Sequence, residues 1–305
     1  MMLLQIIILN CMKACLNNIM NVIKKVFILF LKIIQYVKWY VQYYQAKRQK
    51  LYPLQLTRLN LNKKEKIVVL VPHADDEWIG PYSIIKDRPS KLHCIYFNLF
   101  GIDYSEGNIR KRNAEIKKSS EYWGFTLDNV YKYDVDALCQ LIKDARYCFI
   151  PSPFDWHEEH RKVFLTFVMA FNKLTIEQRE KLNVFYFSVS VPHPCDKAQF
   201  YIPLTKKELN EKWSQFVKIY HSQAFMPACR YKLQLRLVPK TVGYAAQTFI
   251  KADEEFLLYD KKLITNTSVA YMLSELQKHI NDIVDSRIVL NRIISKINGE
   301  LFKKN

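Results

Sequence analysis

Short β-branched and aromatic runs alternate with helix-compatible stretches through the middle of the chain, and this alternation constrains the fold more than any other feature. The runs that predict strands are residues 67–71, 92–100, 130–133, 147–150 and 183–191. Helix-compatible stretches between them lie at 77–86, 109–122 and 161–174. Strands that alternate with helices form a mostly parallel sheet with right-handed crossovers. Beyond residue 191 the sequence predicts helices, notably over 206–220 and 266–296.

The length and composition favour one sizeable α/β domain with an addition at each end. The chain has 305 residues, 50% of them hydrophobic, and only 6 glycines, which suffices for a core and leaves little low-complexity sequence. We place a hydrophobic and basic segment at 1–50, the central domain at 64–250 and a helical extension at 251–305. The 7 cysteines never form a C-x-x-C pair, which argues against a disulfide framework and favours the reducing cytosol.

The net charge indicates partners that carry phosphate. Lys and Arg outnumber Asp and Glu by 46 to 29, which gives a net charge of +17. Such a charge attracts nucleic acid, an anionic membrane or a charged glycolipid. The sequence contains no zinc-finger cysteine pairs and no RNP-like aromatic run, so we expect no specific nucleic acid and favour an anionic membrane surface.

The N-terminal segment holds the residues that would contact a membrane, and we expect it to lie outside the α/β domain. Residues 26–44 are long enough to span a bilayer, but Lys32 and Lys38 would then lie in the hydrocarbon. On a helical wheel the lysines and glutamines share an arc of roughly 140°, which is typical of a helix lying in the membrane surface. Trp39 is among the apolar residues that break this pattern.

In-plane binding is therefore favoured over a span, and a helix packed on a partner protein is the alternative. The expected location is the cytoplasm, with the protein held at the membrane through its N-terminal segment. Attachment at a membrane favours a partner that is itself linked to lipid, such as a glycolipid, over a soluble one.

Two polar clusters follow two of the predicted strands. Pro72-His73-Ala74-Asp75-Asp76-Glu77 comes directly after the first strand, and residues 153–160 follow the strand at 147–150 in the same way. Ligands of open parallel sheets bind outside the carboxyl ends of the strands. We therefore expect the two clusters to meet at one edge of the sheet.

The clusters supply a candidate set of metal ligands. Imidazole nitrogen and carboxylate oxygen suit zinc, and a catalytic zinc site has three protein ligands and one position left for water. His73, Asp76 and His160 would make such a set. Each residue alone is weak evidence, since acids at a helix start are often only favourable to the helix dipole, and we assign Glu77 to that role. Together the clusters favour a metal site.

Both clusters resemble signatures of one enzyme family, the PIG-L/LmbE deacetylases. Residues 72–77 are similar to the A-H-P-D-D-E signature of that family, and residues 157–160 are similar to its H-x-D-H signature. Ala74 replaces the usual proline, and Glu159 replaces the usual aspartate. Neither change removes a ligand.

Two further motifs extend the resemblance over residues 66–223. Arg112-x-x-Glu115, followed by Trp123-Gly124, resembles the family's R-x-x-E helix with its L-G end. Residues 220–223 resemble its h-x-S-Q motif. All four motifs stand in the family's order, so accidental agreement is improbable.

The resemblance implies a Rossmann-like fold, a mostly parallel sheet flanked by helices, and one bound zinc ion. Carried over by position, the zinc ligands are His73, Asp76 and His160. Asp75 matches the general base, His157 the histidine that stabilises the oxyanion, and Arg112 an arginine that contacts substrate. The implied reaction removes the N-acetyl group from an N-acetylglucosamine-containing glycoconjugate by attack of zinc-activated water on the acetamide.

Two acidic neighbours are expected to act on His157. Asp155 could keep its imidazole protonated and able to donate, or it could only cap the helix that begins beside it. Glu159 has one methylene more than the family's aspartate, which would loosen the support of His157.

Two other functions are weighed against the hydrolase. A membrane-tethered binding or scaffold protein of the same fold, without activity, would be favoured by loss of a ligand, yet all three ligand residues are present. A nucleotide- or nucleic-acid-binding α/β protein is suggested by charge alone, because no Gly-rich phosphate loop follows the first strand.

Overall fold

The protein is described by a computed structural model over residues 2–48, 56–100, 104–193, 197–279, 282–283 and 285–302. The strands are β1 Thr57–Arg58, β2 Ile67–His73, β3 Leu92–Leu99, β4 Thr126–Asn129, β5 Tyr147–Pro151, β6 Asn183–Phe187, β7 Phe200–Leu204 and β8 Ala245–Ala252. The helices are α1 Met2–Arg48, α2 Asp76–Ile79, α3 Tyr82–Ile85, α4 Glu106–Trp123, α5 Val135–Ile142, α6 Glu158–Lys173, α7 Ile176–Lys181, α8 Lys206–Ile219, α9 Ala228–Leu235, α10 Glu254–Ile264, α11 Thr267–Glu275 and α12 Asp285–Phe302.

One eight-stranded sheet organises the fold, in the order β1-β7-β8-β6-β5-β2-β3-β4. The strands from β4 to β6 in this order all run parallel, whereas β8 is antiparallel to both β6 and β7. The predicted mostly parallel sheet is confirmed. Chain order reverses between β2 and β5, since β3 and β4 lie on one side of β2 and β5 and β6 on the other. Such a switch point is where open α/β sheets bind ligands.

Helices cover both faces of the sheet, which explains why β2 is buried along its whole length. Val68 and Leu70 point to one core cluster, and Val69 and Val71 point to the other. Helix α6 packs on the first cluster with Val163, Phe164 and Phe167. Helix α8 packs on the second with Leu209, Trp213 and Phe216. Strand β2 is thereby held rigidly where its last residue enters the functional site.

Several secondary-structure predictions differ from the structure, three of them substantially. The strand predicted at 130–133 ends earlier, at Asn129, because Lys132 and Tyr133 have positive φ angles of 52° and 58° that a strand does not accept. The C-terminal third is not wholly helical, since it contains β7 and β8. The helix predicted over 266–296 is divided into α11 and α12.

The end of α1 is part of the folded body, so the expectation that the N-terminal segment lies wholly outside the domain is wrong. Trp39, Tyr43 and Ala46 are buried against Leu233 of α9 and neighbouring apolar side chains. Gln42 donates to Asp282 Oδ1 at 3.2 Å, and its own oxygen accepts the backbone N–H of residue 283 at 3.1 Å. Lys38 forms an ion pair with Asp282 at 2.6 Å. Residues 1, 49 and 50 of this predicted segment lie outside the described residues.

The earlier part of α1 has a different environment. From Ile19 to Val37 the large apolar side chains on every side of the helix are exposed, whereas the lysines among them are too few to cover it. Among the helices that the structure describes, none combines the length and apolar character needed to cross a membrane.

Candidate active site and metal centre

The two polar clusters meet because they leave neighbouring strands at the same edge. β2 ends at His73, and its parallel neighbour β5 ends at Pro151. Helix α2 begins at Asp76, directly after β2, and α6 begins at Glu158. The fold therefore brings His73, Asp76 and His160 together, all of them buried.

The ligand atoms of these three residues form a small triangle. His73 Nδ1 lies 3.0 Å from His160 Nε2 and 3.2 Å from Asp76 Oδ2. The third edge, from His160 Nε2 to Asp76 Oδ2, is 3.2 Å. Ligands about 2.0–2.1 Å from a tetrahedral zinc ion stand about 3.3 Å apart, so the triangle fits three corners of such a site. The donor set and its spacing thus fit a divalent ion.

Each histidine of the triangle has a carboxylate behind it. His73 Nε2 lies 2.6 Å from Glu159 Oε2, and His160 Nδ1 lies 3.2 Å from Asp155 Oδ2. A carboxylate in this position fixes the tautomer and orientation of a metal-binding imidazole. Glu159 is held in turn by the hydroxyl of Tyr104.

Of the two roles left open for Asp155, the structure shows the local one beside the start of α6, and the position of Glu159 agrees with the expectation that its longer side chain loosens the support of His157. Asp155 directs one oxygen to the His160 ring and accepts the backbone N–H of His157 at 3.0 Å with the other, so it holds the turn just before α6. Glu159 lies 3.8 Å from His157 Nδ1, beyond hydrogen-bond distance. Its longer side chain reaches His73 instead.

The electrostatics of the triangle favour a bound cation. Burial works against ionisation of Asp76, yet His160 and His73 outweigh burial and lower its pKa well below the usual range. Burial likewise opposes protonation of His160, but Asp76 and Asp155 raise its pKa to about 10. Two buried carboxylates thus hold positive charge between them, and a divalent ion can replace the proton there.

Asp75 stands beside the triangle in an unusual backbone conformation, with φ at 132°. Such strain in a residue other than glycine persists only where the surroundings enforce it, and it clusters at functional sites. Burial raises the pKa of Asp75 to about 6, although Arg112 opposes the shift. A pKa near the working pH suits a general base.

Arg112 binds Asp75 rather than Glu115, its acidic neighbour on α4. Its Nη2 donates to Asp75 Oδ1 at 3.2 Å, and both side chains are buried. Glu115 instead accepts the backbone N–H of Ser222 at 2.8 Å and the Ser222 hydroxyl at 2.5 Å. The R-x-x-E and h-x-S-Q motifs are therefore joined by hydrogen bonds, which bring Gln223 to the wall of the cavity.

Glu77 does more than favour a helix dipole, so that assignment is wrong. Its side chain is fully buried and accepts hydrogen bonds from the Asp75 N–H at 3.1 Å, from Ser119 at 2.7 Å and from the Tyr220 hydroxyl. Burial raises its pKa to about 7. Glu77 ties the loop of Asp75 to α4 and to the end of α8. The sequence feature that could have pointed to this role of Glu77 is Tyr220 of the h-x-S-Q motif, whose hydroxyl binds it.

His157 faces the same cavity as a neutral imidazole at neutral pH. Burial lowers its pKa to about 4, and the neighbouring His73 and His160 add to the effect. Burial thus disfavours the protonated ring that Asp155 could have maintained. A neutral imidazole still has one N–H donor, so His157 can donate to an oxygen in the cavity.

The cavity beside the triangle has a volume of about 1060 Å³. Its wall includes Asp75, Arg112 and His157, together with four residues that were not predicted for the site: Gln35 and Trp39 of α1, and Arg230 and Tyr231 of α9. No local motif marks these four, because tertiary packing alone brings α1 and α9 to the sheet edge.

Neither a protein-family model nor a curated protein sequence matches this chain. Among solved structures, the conserved protein TT1542 from Thermus thermophilus is similar with a TM-score of 0.50 and 16% identity, over 61% of this chain and 94% of that one. The 4-carboxy-2-hydroxymuconate hydratase GalB from Pseudomonas putida has a TM-score of 0.48 at 12% identity, over 61% and 96% of the two chains.

The zinc inhibited form of teicoplanin deacetylase Orf2 has a TM-score of 0.46 at 10% identity, over 62% of this chain and 99% of that one. The likenesses to GalB and Orf2 are too distant to support an argument. The chain shares its fold with TT1542.

Proposed function

We propose that this protein is a zinc-dependent hydrolase that removes the N-acetyl group from an N-acetylglucosamine-containing glycoconjugate. The observation that carries the proposal is the ligand triangle of His73, Asp76 and His160, with edges of 3.0 to 3.2 Å. Asp75 lies in the same cavity wall with a pKa near 6. These residues lie in the motifs that resemble those of the PIG-L/LmbE deacetylases.

A zinc ion held by the triangle would supply an activated water and positive charge for the acetamide oxygen. Asp75 is placed to take the proton of the attacking water, and the pair with Arg112 holds its carboxylate in one orientation. His157 donates its N–H to the oxygen on which negative charge develops. The proton on Asp75 then passes to the departing amine, which leaves as the amino sugar while acetate is released.

The alternative, an inactive scaffold of the same fold, has less support. A scaffold does not need three ligand atoms at zinc spacing, or carboxylates behind both histidines of the triangle. Glu77 and Glu115 are further buried acids that hold the site's loops together. Burial of so many ionisable groups lowers stability, and such groups are typical of catalytic sites.

We further propose that α1 holds the enzyme at an anionic membrane, lying in its surface. The helix contains no acidic residue, and Lys24, Lys25 and Lys32 lie among the exposed apolar side chains between Ile19 and Val37. Apolar burial combined with basic residues is the basis of binding to anionic lipid surfaces. A substrate anchored in that membrane would then reach the cavity wall that α1 helps to form.

The experiment that tests the function measures zinc content and acetate release with the same purified protein. The substrate panel contains N-acetylglucosamine-inositol lipids, nucleotide-linked N-acetylglucosamine and oligosaccharides. His160→Ala should lose most of its zinc, whereas Asp75→Ala should keep zinc and lose roughly 10²- to 10⁴-fold in rate. His279→Ala and Glu158→Ala, which change residues outside the triangle, are matched controls. Full activity of Asp75→Ala, or no acetate from any substrate with zinc-loaded protein, would contradict the proposal.

A further inference from the structure

Lys212 of α8 is a lysine that the fold buries almost completely. Only 1% of its surface is exposed, although lysine is among the residues least often buried unless it is paired. Its ammonium group donates to the backbone oxygen of Ile79 at 2.8 Å and lies 5.3 and 5.4 Å from the ring centres of Tyr82 and Trp213. The proposed catalytic steps do not use this charge, so its burial needs a physical reason.

The charge of Lys212 is not neutralised by an acid. Within the part of the chain that the structure describes, no carboxylate pairs with it: burial lowers its pKa to about 7, and no acidic group opposes the shift. The aromatic rings attract the ammonium group but carry no net negative charge. An ammonium group has three N–H donors, of which one binds Ile79. Lys212 can therefore bind an anion without losing the contact that it already makes.

A second buried donor lies in the wall of the same small cavity as Lys212. Gln234 of α9 is 9% exposed, and its amide nitrogen has no hydrogen-bond partner among the described residues. A buried donor that stays unpaired lowers stability. Ser188 and Thr248, which also line this cavity, add hydroxyl groups. A positive charge and several hydrogen-bond donors thus meet at one cavity, and these are the groups that a carboxylate ligand requires.

This cavity is small and adjoins the catalytic cavity. Its volume is about 40 Å³, and one water needs roughly 10–15 Å³ by the same measure, so it accommodates about three waters or one anion of the size of acetate. Ile79, Val189 and Tyr231 belong to the walls of both cavities. Ile79 also ends helix α2, whose first residue is the ligand Asp76. A small product formed at the triangle is therefore released beside the cavity of Lys212.

We propose that Lys212 and Gln234 bind a small carboxylate, and that this carboxylate is the acetate released by the reaction. The source of the acetate rests on the proposed deacetylase function, whereas the binding site rests on the cavity itself. The carboxylate accepts from the ammonium group and from the amide, and such charge-assisted hydrogen bonds are about twice as strong as those between neutral groups. Acetate that moves there leaves the metal position accessible to the next water.

The test measures binding of isotope-labelled acetate to the full zinc-loaded chain by NMR titration. Zinc itself also binds acetate, so two components are expected, and each of two variants should remove one of them. Lys212→Met keeps the length of the side chain and should weaken the cavity component at least about tenfold while zinc content stays unchanged. His160→Ala should lose the zinc component. Formate should displace acetate from the cavity, whereas butyrate should not, because the cavity is too small for it.

The matched control is Lys86→Met. Lys86 also connects α8 to the helices after β2, through an ion pair with Glu208 at 2.9 Å, but it lies in the wall of neither cavity. This variant should bind acetate like the original protein. Equal acetate binding by Lys212→Met and Lys86→Met would overturn the inference, as would displacement by butyrate as readily as by formate. If Lys212→Met fails to fold, Gln234→Met decides, because loss of the amide donors should also weaken the cavity component at least about tenfold.

The same titration separates this inference from the proposed function. Binding of added acetate needs no catalysis, so it can be measured whether or not the protein is a deacetylase. Binding that depends on Lys212, without acetate release from any substrate, would leave a carboxylate site supplied from solution and refute the deacetylase. Acetate release by a protein whose acetate binding ignores Lys212 and Gln234 would do the reverse.

Discussion

Replacement of Asp155 by Asn should weaken zinc binding although Asp155 is not itself a ligand. The carboxylate is 2% exposed, and its Oδ2 lies 3.2 Å from His160 Nδ1. The same oxygen accepts the N–H of Ser190 at 3.2 Å, while Oδ1 accepts that of His157 at 3.0 Å. Asn keeps one acceptor oxygen but removes the negative charge. Its amide N–H groups would face the N–H groups that the carboxylate now accepts. The tautomer of His160 that leaves Nε2 free for metal is then no longer enforced.

The magnitude follows from what such supporting carboxylates contribute. Their loss costs roughly 10- to 100-fold in metal affinity, which corresponds to about 1.4 to 2.7 kcal/mol. Competition with a chromophoric zinc chelator at neutral pH measures the change. Glu158→Gln is the control, because it alters an exposed acid in the same loop. If Asp155→Asn binds zinc as tightly as Glu158→Gln, while both fold, the carboxylate does not support His160 and the reasoning fails.

Three further predictions concern other parts of the molecule. Burial raises the pKa of Asp260 from 3.8 to about 7, so the folded protein keeps a proton that the unfolded chain loses. Stability should therefore fall as pH rises from about 4 to 7, and Asp260→Asn should flatten that part of a melting-temperature curve. Deleting residues 1–50 should lower the melting temperature because Trp39 and Tyr43 leave α9 exposed, whereas deleting 1–35 should not. Equal melting temperatures would contradict this. Binding of the full chain to anionic vesicles should weaken with added salt, and neutral vesicles should bind less. Salt-independent binding would refute an electrostatic contribution.

The meeting of the two polar clusters could be predicted from the sequence because it depends on few structural facts. A buried strand that ends in His73 and a second strand that ends at Pro151 must bring their polar continuations to one edge of a parallel sheet. Which carboxylate meets which imidazole depends on the rotation of α6 about its axis. Sequence spacing does not determine that rotation, so Glu159 was expected at His157 and lies at His73.

The strands missed in the C-terminal third also support the site. Strand β7 contains Pro203, which argues against a strand in the sheet interior, and β8 begins with small residues and carries polar ones. Yet Gln247 of β8 is buried, donates to the backbone oxygen of Ile79 at 3.0 Å and accepts the N–H of Ser83 at 2.5 Å. The turn after α2 is thereby attached to the sheet. A pattern search that seeks apolar alternation does not detect a strand whose key residue is a glutamine.

Helix α1 has two environments along its length: its end packs on the folded body and its earlier part is exposed. The helical wheel left Trp39 on the lysine side, where a membrane-surface helix has no place for it. In the structure Trp39 packs on the folded body, and Lys38 beside it pairs with Asp282. The polarity of the last turns is therefore set by α9 and the C-terminal region, not by lipid. A membrane could contact the exposed apolar side chains of α1 between Ile19 and Val37, together with Tyr40, Val41 and Tyr44. Because α1 is one unbroken helix, docking of this surface would also orient the cavity wall at Gln35 and Trp39.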